Sequence, residues 1–600
     1  MKKTKVLMVC PKFPASFWSF KKSMWFIDRK VTMPPLPLVT VAAMFPVKSF
    51  DVMPIIDLNA EPLDDELIRQ ADIVMFTAMI VQQDSLREII ARAKRWGKPV
   101  VVGGPYATSY RDEVLAMNPA PDHLVLGEAE LTLAPFIQDW QGGHAERVYD
   151  AHSVGGRNPI ALTREGMPVI TGTPIPRWDL LKLGKYSSLA IQFSRGCPFD
   201  CDFCDIVVLY GHQPRTKTPG QMMAELEAIY RTGWRGSLFF VDDNFIGNQK
   251  EVRKLLPVLI EWQKQHHYPF SFFTEASLNL ANPDLADIRT LMIKAGFDEI
   301  FAGVESIDQK TLVEMKKRQN LGDPLEKIEI LQRAGFEVTA GLIIGSDTDR
   351  PETADELFRF LQQSGIVMTM AGLLTALRGT PLYHRLKAEG RLRAESSGNN
   401  THQFRFNFEP KRDERFLIEG YVGLLERLFS SRNYYARCRV LQSRRGSYRR
   451  PDRLNRSGIL AAMRILYRNL VRRPDWEFAK FFFGSLFAAP IELPEVITYA
   501  VKFAHFEAMT EAAVKAHRYP ERVATLAERF AAGAALLRGD TNRRLRRLAK
   551  LERQVLAEAI RLYDSLDRDF RASAKQALAN CCERLTACAE FYRQTWQSVC

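Results

Sequence analysis

Between residue 187 and about residue 400, short β-rich runs and helical runs alternate, with strand candidates at 189–194, 237–243, 270–276, 299–306, 338–346 and 369–377. Helical patterns such as PGQMMAELEAIYRTG and PETADELFRFLQQSG lie between them. Alternation at this spacing calls for parallel strands joined by crossover helices, hence a β/α barrel or partial barrel. Chemistry in such a barrel gathers where the strands end, and the first strand runs straight into SRGCPFDCDFCD, residues 194–205. Its Cys197, Cys201 and Cys204, spaced C-x3-C-x2-C, can ligate three irons of a [4Fe–4S] cube. A cube ordinarily takes four thiolates, so the fourth iron is left for an exchangeable ligand. A structural zinc site is the competing reading. It wants a fourth Cys or His nearby, and the nearest, His212, has no second partner.

Residues 1–150 alternate in another form. Near-continuous apolar runs at 5–10, 52–57, 72–80, 99–104 and 123–127 are separated by helical stretches such as DSLREIIARAKRWG. Strands without polar alternation are covered on both faces, which means a doubly wound parallel sheet. Such a sheet binds its ligand beyond the carboxyl ends of its strands. Those ends carry Asn59 (in DLNAEP), Thr77, Gly103, Gly104 and Glu128. Small residues there let a large planar cofactor approach the backbone. Residues 151–185, with VGGRNP and TGTPIPRWDLL, read as a connector folded against the next domain.

From 401 to 600 the pattern is helical, with apolar residues at three- and four-residue intervals in stretches such as SGILAAMRILYRNLVRR and PEVITYAVKFAHFEAM. Before them, FRFNFEPKR reads as an edge strand or a docking segment. Trp476, Phe481, Phe482, Phe483 and Phe487 make either a core stripe or an apolar groove beside arginines that draws on a lipid face. Cys581 and Cys588 lie two turns apart on one helical face with Cys582 turned away, and Cys600 is remote, so no second cluster is expected.

Hydrophobic residues make up 46% and charged ones 26% of the chain, which suits a globular protein with an ample core. No apolar stretch approaches the ~18 residues of a membrane span. Nine cysteines in 600 residues are too sparse for a disulfide scaffold. A low-potential cluster needs reducing surroundings, so the expectation is cytoplasmic, with peripheral attachment at the inner membrane face as an option. The net charge of +13 sits partly in the arginines of 437–473, a solvated surface by default.

The stretches MPPLPLVTVAAMFP, DLNAEPL, SRGCPFDCDFCDI, RTKTPGQMMAELEAI, FFVDDNFIGN and FTEASLNLA together resemble the cobalamin-binding radical S-adenosylmethionine (SAM) family, in particular its hopanoid C-2 methylase-like branch. The likeness spans about the first 400 residues. It implies a cobalamin-binding-like domain at 1–150, a partial (β/α)6 barrel at 186–400 and a separate α-helical domain at 401–600. It places the [4Fe–4S] cluster on Cys197, Cys201 and Cys204, with Phe203 as the family's aromatic before the last cysteine. SAM would be met by Asp242, Asp243 and Asn244 at its ammonium, by Glu275 and Glu305 at its ribose, and by Gly341 and Gly345 at its adenine. Arg378, with Thr380, would face the methionine carboxylate or the substrate. Family members that supply a histidine to cobalt carry D-x-H-x-x-G. Asn59 stands at that histidine's place, so the resemblance implies cobalamin without a histidine ligand from this stretch. The implied activity is methylation of an unactivated carbon of a hydrophobic or lipid-like substrate, with electrons from a flavodoxin or ferredoxin. Non-methylating cyclisation, ring contraction or oxidation, or modification of a peptide or RNA, are the alternatives. No RNA-binding module accompanies the arginines, so nucleic acid is not favoured as a partner.

Overall fold

The apolar run near the N-terminus lies in β1 (Thr4–Cys10), where Val6, Leu7, Met8 and Val9 have no exposed surface. Burial of successive residues means cover on both faces, and the sheet around it is parallel throughout. It comprises β2 (Phe50–Val52), β3 (Ile56–Asp57), β4 (Ile73–Thr77), β5 (Val100–Gly103), β6 (His123–Val125) and β7 (Val148–Tyr149). Their order is β2-β1-β4-β5-β6-β7, with β3 also on β1. The strand expected at 52–57 is in fact two: Val52 pairs with Val6 and Ile56 with Val9. Pro54 lies between them and has no N–H to give a ladder. The helix Gln83–Arg95 shows why this domain packs, since Leu86, Ile89, Ile90 and Ala93 form its one buried stripe.

This computed structural model describes residues 2–445, 456–488 and 490–598. Its contacts divide the chain into two compact units, Met1–Thr401 with Arg405–His505, and His402–Phe404 with Phe506–Cys600. Arg449, Arg450 and Arg453 of the arginine-rich stretch at 437–473 fall outside the described residues, as does Cys600.

The barrel strands are β8 (Leu189–Ile191), β11 (Gly236–Phe240), β12 (Phe270–Glu275), β13 (Phe297–Glu305), β14 (Glu337–Ile344) and β15 (Thr369–Leu373). They are parallel neighbours in chain order, forming a six-stranded partial barrel with β8 and β15 at its edges. Between β8 and β11 an antiparallel ribbon joins β9 (Ser194–Arg195) to β10 (Arg215–Thr216). After it the helix Pro219–Arg231 starts on a capping box, Thr218 with Gln221.

Helices from 414 to 505 belong to the unit that holds the barrel, so the 401–600 stretch is not one separate body. Tyr421 donates to the Ala371 and Thr401 carbonyls at 2.8 and 3.0 Å. The fully buried Arg437 donates to the carbonyls of Ile366 and Leu428. Lys502 reaches the amino-terminal ends of β13 and β14, where its Nζ lies 2.8 Å from Glu337 and 3.2 Å from Glu299. The segment 404–408 is a docking segment rather than a strand. It makes a single bridge, Leu392 with Phe408, and Phe406 packs where a side chain at Gly345 would stand.

The second unit is a bundle of the helices Tyr519–Ala535, Thr541–Asp564 and Arg571–Gln597. Val523, Phe530, Leu548, Val555, Ala574 and Leu585 are among its buried residues. Cys581 is one of them, its thiol donating to the Val523 carbonyl at 3.5 Å.

Replacing Lys502 by Met removes the cation from a largely buried pair of carboxylates. Breaking such a cluster on one side costs about 3 kcal/mol. A lowered thermal midpoint, with the secondary structure unchanged by circular dichroism below it, is the expected result.

Candidate active site

The cysteine loop leaves the barrel at β9 and is held there by the end of β11. Asp242 Oδ1 accepts from the backbone N–H groups of Phe193 and Ser194 at 2.8 and 2.6 Å, and Asp243 Oδ2 from that of Gly196 at 2.9 Å. Gly196 sits at φ +93°, where a Cβ would come within 2.9–3.1 Å of the carbonyls of Gly211, Tyr210 and Gln213. No other residue fits that turn. Asn244 pairs with Ser277 through its side-chain amide. Two of the three residues placed by resemblance at the methionine ammonium, Asp242 and Asp243, thus shape the loop. Among the described residues Asp242 Oδ2, buried, has no hydrogen-bond partner. Burial pushes the Asp242 carboxyl up to about 8 and Asp243 to about 6, against the N–H groups that favour their charge.

Cys197, Cys201 and Cys204 are free thiols. Burial pushes Cys204 up to about 12 and raises Cys197 as well. Two residues the sequence did not single out attend them. Gln319 Nε2 donates to Cys201 Sγ at 3.5 Å. Lys317 ion-pairs with Glu305 at 2.7 Å, and its Nζ lies 5.8 Å from the Phe203 ring centre. Burial opposes its charge, yet Glu305 and then Cys201 hold Lys317 above its ordinary range. Glu305 sits at φ +62° on a register shift between β13 and β14. Its carboxylate folds back over Gly303, where a Cβ would meet Glu305 Oε1 at 2.3 Å and Lys317 Nζ at 2.7 Å.

Glu275, at the end of β12, is half-buried beside these groups and lines a cavity of 2530 Å³. Burial, then repulsion by Asp243, pushes its carboxyl up to about 8, with Lys317 opposing. Phe239 and Phe273, stacked at 4.6 Å, and Phe301 form the aromatic wall below it. Gly341 lies against Phe301, a Cβ there meeting its ring at 3.1 Å.

In the first sheet, Asn59 builds the strand-end loop itself. It accepts from the Phe13 N–H at 2.7 Å and donates to Asp57 and to the Pro11 carbonyl. Phe13 and Met79 line the same cavity as Glu275. Gly103 and Gly104 let chain segments pass closely, Gly104 against Thr77 Oγ1 and Gly103 against the Val125 carbonyl. Glu128 is buried and paired with Arg195 at 2.6 Å and Arg215 at 2.6 Å. Glu130 pairs with Arg195 at 2.9 Å, and Arg195 holds it down to about 2 although burial pushes the other way. Arg378 is likewise engaged elsewhere, paired with Glu113 and Glu395 over the Tyr110 ring, while Thr380 caps the helix Pro381–Ala388.

Three thiols on one loop, Cys201 buried and Cys197 and Cys204 partly so, with a lysine beside them to offset charge, suit a cube held through three irons. Among the described residues no three His, Cys, Asp or Glu side chains are drawn in tightly enough for a single metal ion. The strand-end space around Met79 and Phe13, without a histidine, suits a planar corrin that takes no histidine ligand from this domain.

Three family models match the chain: the B12 binding domain at residues 25–137, the radical SAM superfamily at 191–361, and a domain of unknown function, DUF4070, at 380–519. The chain is 41% identical to an uncharacterized methyltransferase, sll1242, of Synechocystis sp., over 72% of this chain and 77% of that protein. It is 37% identical to the hopanoid C-2 methylase of Rhodopseudomonas palustris, over 65% of this chain and 71% of that one. In fold it is similar to the radical SAM methyltransferase TsrM of Kitasatospora setae, with a TM-score of 0.55 at 14% identity, covering 83% of this chain and 99% of that one. That structure holds cobalamin and a [4Fe–4S] cluster. The chain belongs to the cobalamin-binding radical SAM family, in its hopanoid C-2 methylase-like branch, and is a methyltransferase with a [4Fe–4S] cluster, SAM and cobalamin as cofactors.

Proposed function

We propose that this enzyme methylates an unactivated carbon of a hydrophobic, lipid-like small molecule held in the 2530 Å³ cavity. The observation that carries the reading is that one cavity is walled by all three parts of the machinery. Phe13 and Met79 come from the cobalamin-domain loops, Glu275 and Phe301 from the barrel, and Met463 and Phe482 from the helices. A substrate there has both domains on either side of it, and near-attack placement of two reactive centres around one carbon is what the reaction needs.

When bound, the cluster and SAM supply hydrogen abstraction, and cobalamin carries the methyl group. In this reading Cys197, Cys201 and Cys204 hold the cluster. Lys317 offsets the negative charge at the cysteine loop, and Gln319 adds a hydrogen bond to Cys201 Sγ. Asp242 and Asp243 keep the loop's N–H groups satisfied. Glu275 and Glu305 are the acceptors that would face SAM, with Gly341 on the adenine side, whereas the space beside Gly345 is taken by Phe406. The aromatic wall of Phe239, Phe273 and Phe301 keeps water from the reacting carbon. A flavodoxin- or ferredoxin-class protein supplies electrons, and peripheral contact with a membrane face gives access to a lipid. No helix among the described residues is long and apolar enough to cross a membrane.

Replacing Cys201 by Ala abolishes the iron–sulfur absorbance near ~400 nm together with 5′-deoxyadenosine release; release that survives the change disproves the cluster assignment. Anaerobic turnover on a bacterial lipid extract yields products heavier by one CH2 in mass spectra. A product set with no such gain overturns the methylation reading.

Glu275 also sets a pH dependence. With its folded-state carboxyl near 8, the ligand-free chain loses stability as pH rises from the ordinary carboxylate range of ~4 towards 8, because ionisation is penalised by burial. SAM brings net positive charge, which favours the ionised form. Its affinity is therefore expected to rise between pH 6 and 8 by up to about tenfold per unit. Calorimetric titrations at several pH values check this, and Glu275→Gln flattens the profile.

A further inference from the structure

The helix Arg456–Leu466 and the wider π-helical turns Tyr467–Arg472 that continue it carry an apolar stripe that faces outwards. Ile459, Met463, Tyr467 and Val471 recur every four residues, and each is at least half exposed. The next helix, Trp476–Ala488, adds Trp476 at 77% and Phe487 at 83% exposure, with Ile491 just beyond it. Soluble surfaces seldom expose that much contiguous apolar area without a partner. Trp25 joins the patch, 62% exposed, with the Arg464 guanidinium 4.3 Å from its ring centre and donating to its carbonyl.

Cations fringe the stripe. Arg456, Arg472 and Arg473 are exposed and form no ion pair among the described residues. Aromatic and aliphatic groups with arginines at their margin match the boundary between acyl chains and headgroups, and the sign of the charge selects an anionic surface. The same helices are also a wall of the cavity, which Ala461, Ala462 and Leu466 line from within. Ile459, Met463 and Ile491 belong to both surfaces, lining the cavity while remaining exposed.

We propose that residues 456–488, with Ile491, dock this enzyme on an anionic bilayer, with the rim formed by Ile459, Met463 and Ile491 as the entrance through which an apolar substrate passes from the bilayer into the cavity. The docking surface stands on its own observations, whereas the passage of substrate rests on the lipid-like reading above. An apolar molecule that enters here never has to cross water, so the cost of exposing its surface, ~25 cal/mol per Å², is not met on the way.

The test is flotation of the full chain, loaded with cluster and cobalamin, with phosphatidylcholine vesicles that contain or lack phosphatidylglycerol. Partition into the anionic vesicles alone, weakening as salt rises, is expected. The combined change Tyr467→Ser, Val471→Ser and Phe487→Ser avoids every cavity-lining residue. It is expected to lower partition about tenfold while leaving thermal stability and 5′-deoxyadenosine release unchanged. Arg472→Glu with Arg473→Glu is expected to weaken it by a similar factor through charge alone. The docking proposal fails if the wild type does not float, or if both variants float as well as it does. It also fails if light scattering finds a wild-type dimer that the triple variant lacks, which would give the face to a second copy. Methyl transfer to a detergent-dispersed lipid extract separates the two readings. Transfer without flotation overturns the docking alone, and flotation without transfer upholds the docking while the lipid-like reading falls.

Discussion

Arg195 is the side chain on which the geometry of this enzyme depends. It stands two residues before Cys197, and its largely buried guanidinium lies between Glu128 and Glu130, on the far side of the domain boundary. On the β9–β10 ribbon it lies directly opposite Arg215. Two like charges in register repel, and Glu128, paired with both, makes that pairing tenable. Removing such ions from water costs several kcal/mol each, regained only when every partner is in place. A cluster with so narrow an optimum holds the cysteine loop at one position relative to the ends of the first sheet. The chemistry demands this, because hydrogen abstraction and methyl delivery converge on one carbon and tolerate little displacement.

Behind that mount the site is arranged for charges it does not itself supply. Asp242, Asp243, Glu275 and Glu305 lie near one another, and Lys317 is the cation paired within the group. Three of these carboxyls are pushed up by burial, which is the behaviour of a pocket that favours cationic ligands over its own ionisation. Their tasks differ. Asp242 and Asp243 accept from the loop backbone, whereas Glu275 faces open space.

Local signals made the barrel and the cluster loop legible in the sequence. Cysteine spacing and strand–helix alternation are properties of neighbouring residues, and the six barrel strands lie where alternation put them. Long-range partnerships left no such trace. Glu128 and Arg378 have the residue types of ligand contacts, yet each is engaged by an ion pair from a distant segment, Arg195 for one and Glu113 for the other. Lys317 and Gln319 sit in an ordinary polar stretch, KKRQN, and only the fold brings them to the thiols. Asn59 was legible as the absence of a histidine but not in its role, which is to hold the loop carrying Phe13. Periodicity found the helices after residue 414 without revealing that those up to 505 belong with the barrel.

That last point bears on how substrate and reaction divide between parts of the chain. A closed eight-stranded barrel fills its interior with side chains, but six strands leave an arc uncovered. In this enzyme side chains of the helix Arg456–Leu466, Phe482 and residues from Ile491 to Lys502 wall the space instead, with Lys502 joined to Glu299 and Glu337 at the barrel's foot. The groups proposed to bind the cluster and to meet SAM come from strand ends whose positions the sheet fixes. The surfaces that meet the rest of a substrate come largely from helices free to vary in side chain without disturbing that sheet. In the proposed reading the barrel sets the reaction type and the helices set the size and shape of the substrate, which is how one cofactor arrangement can serve different molecules.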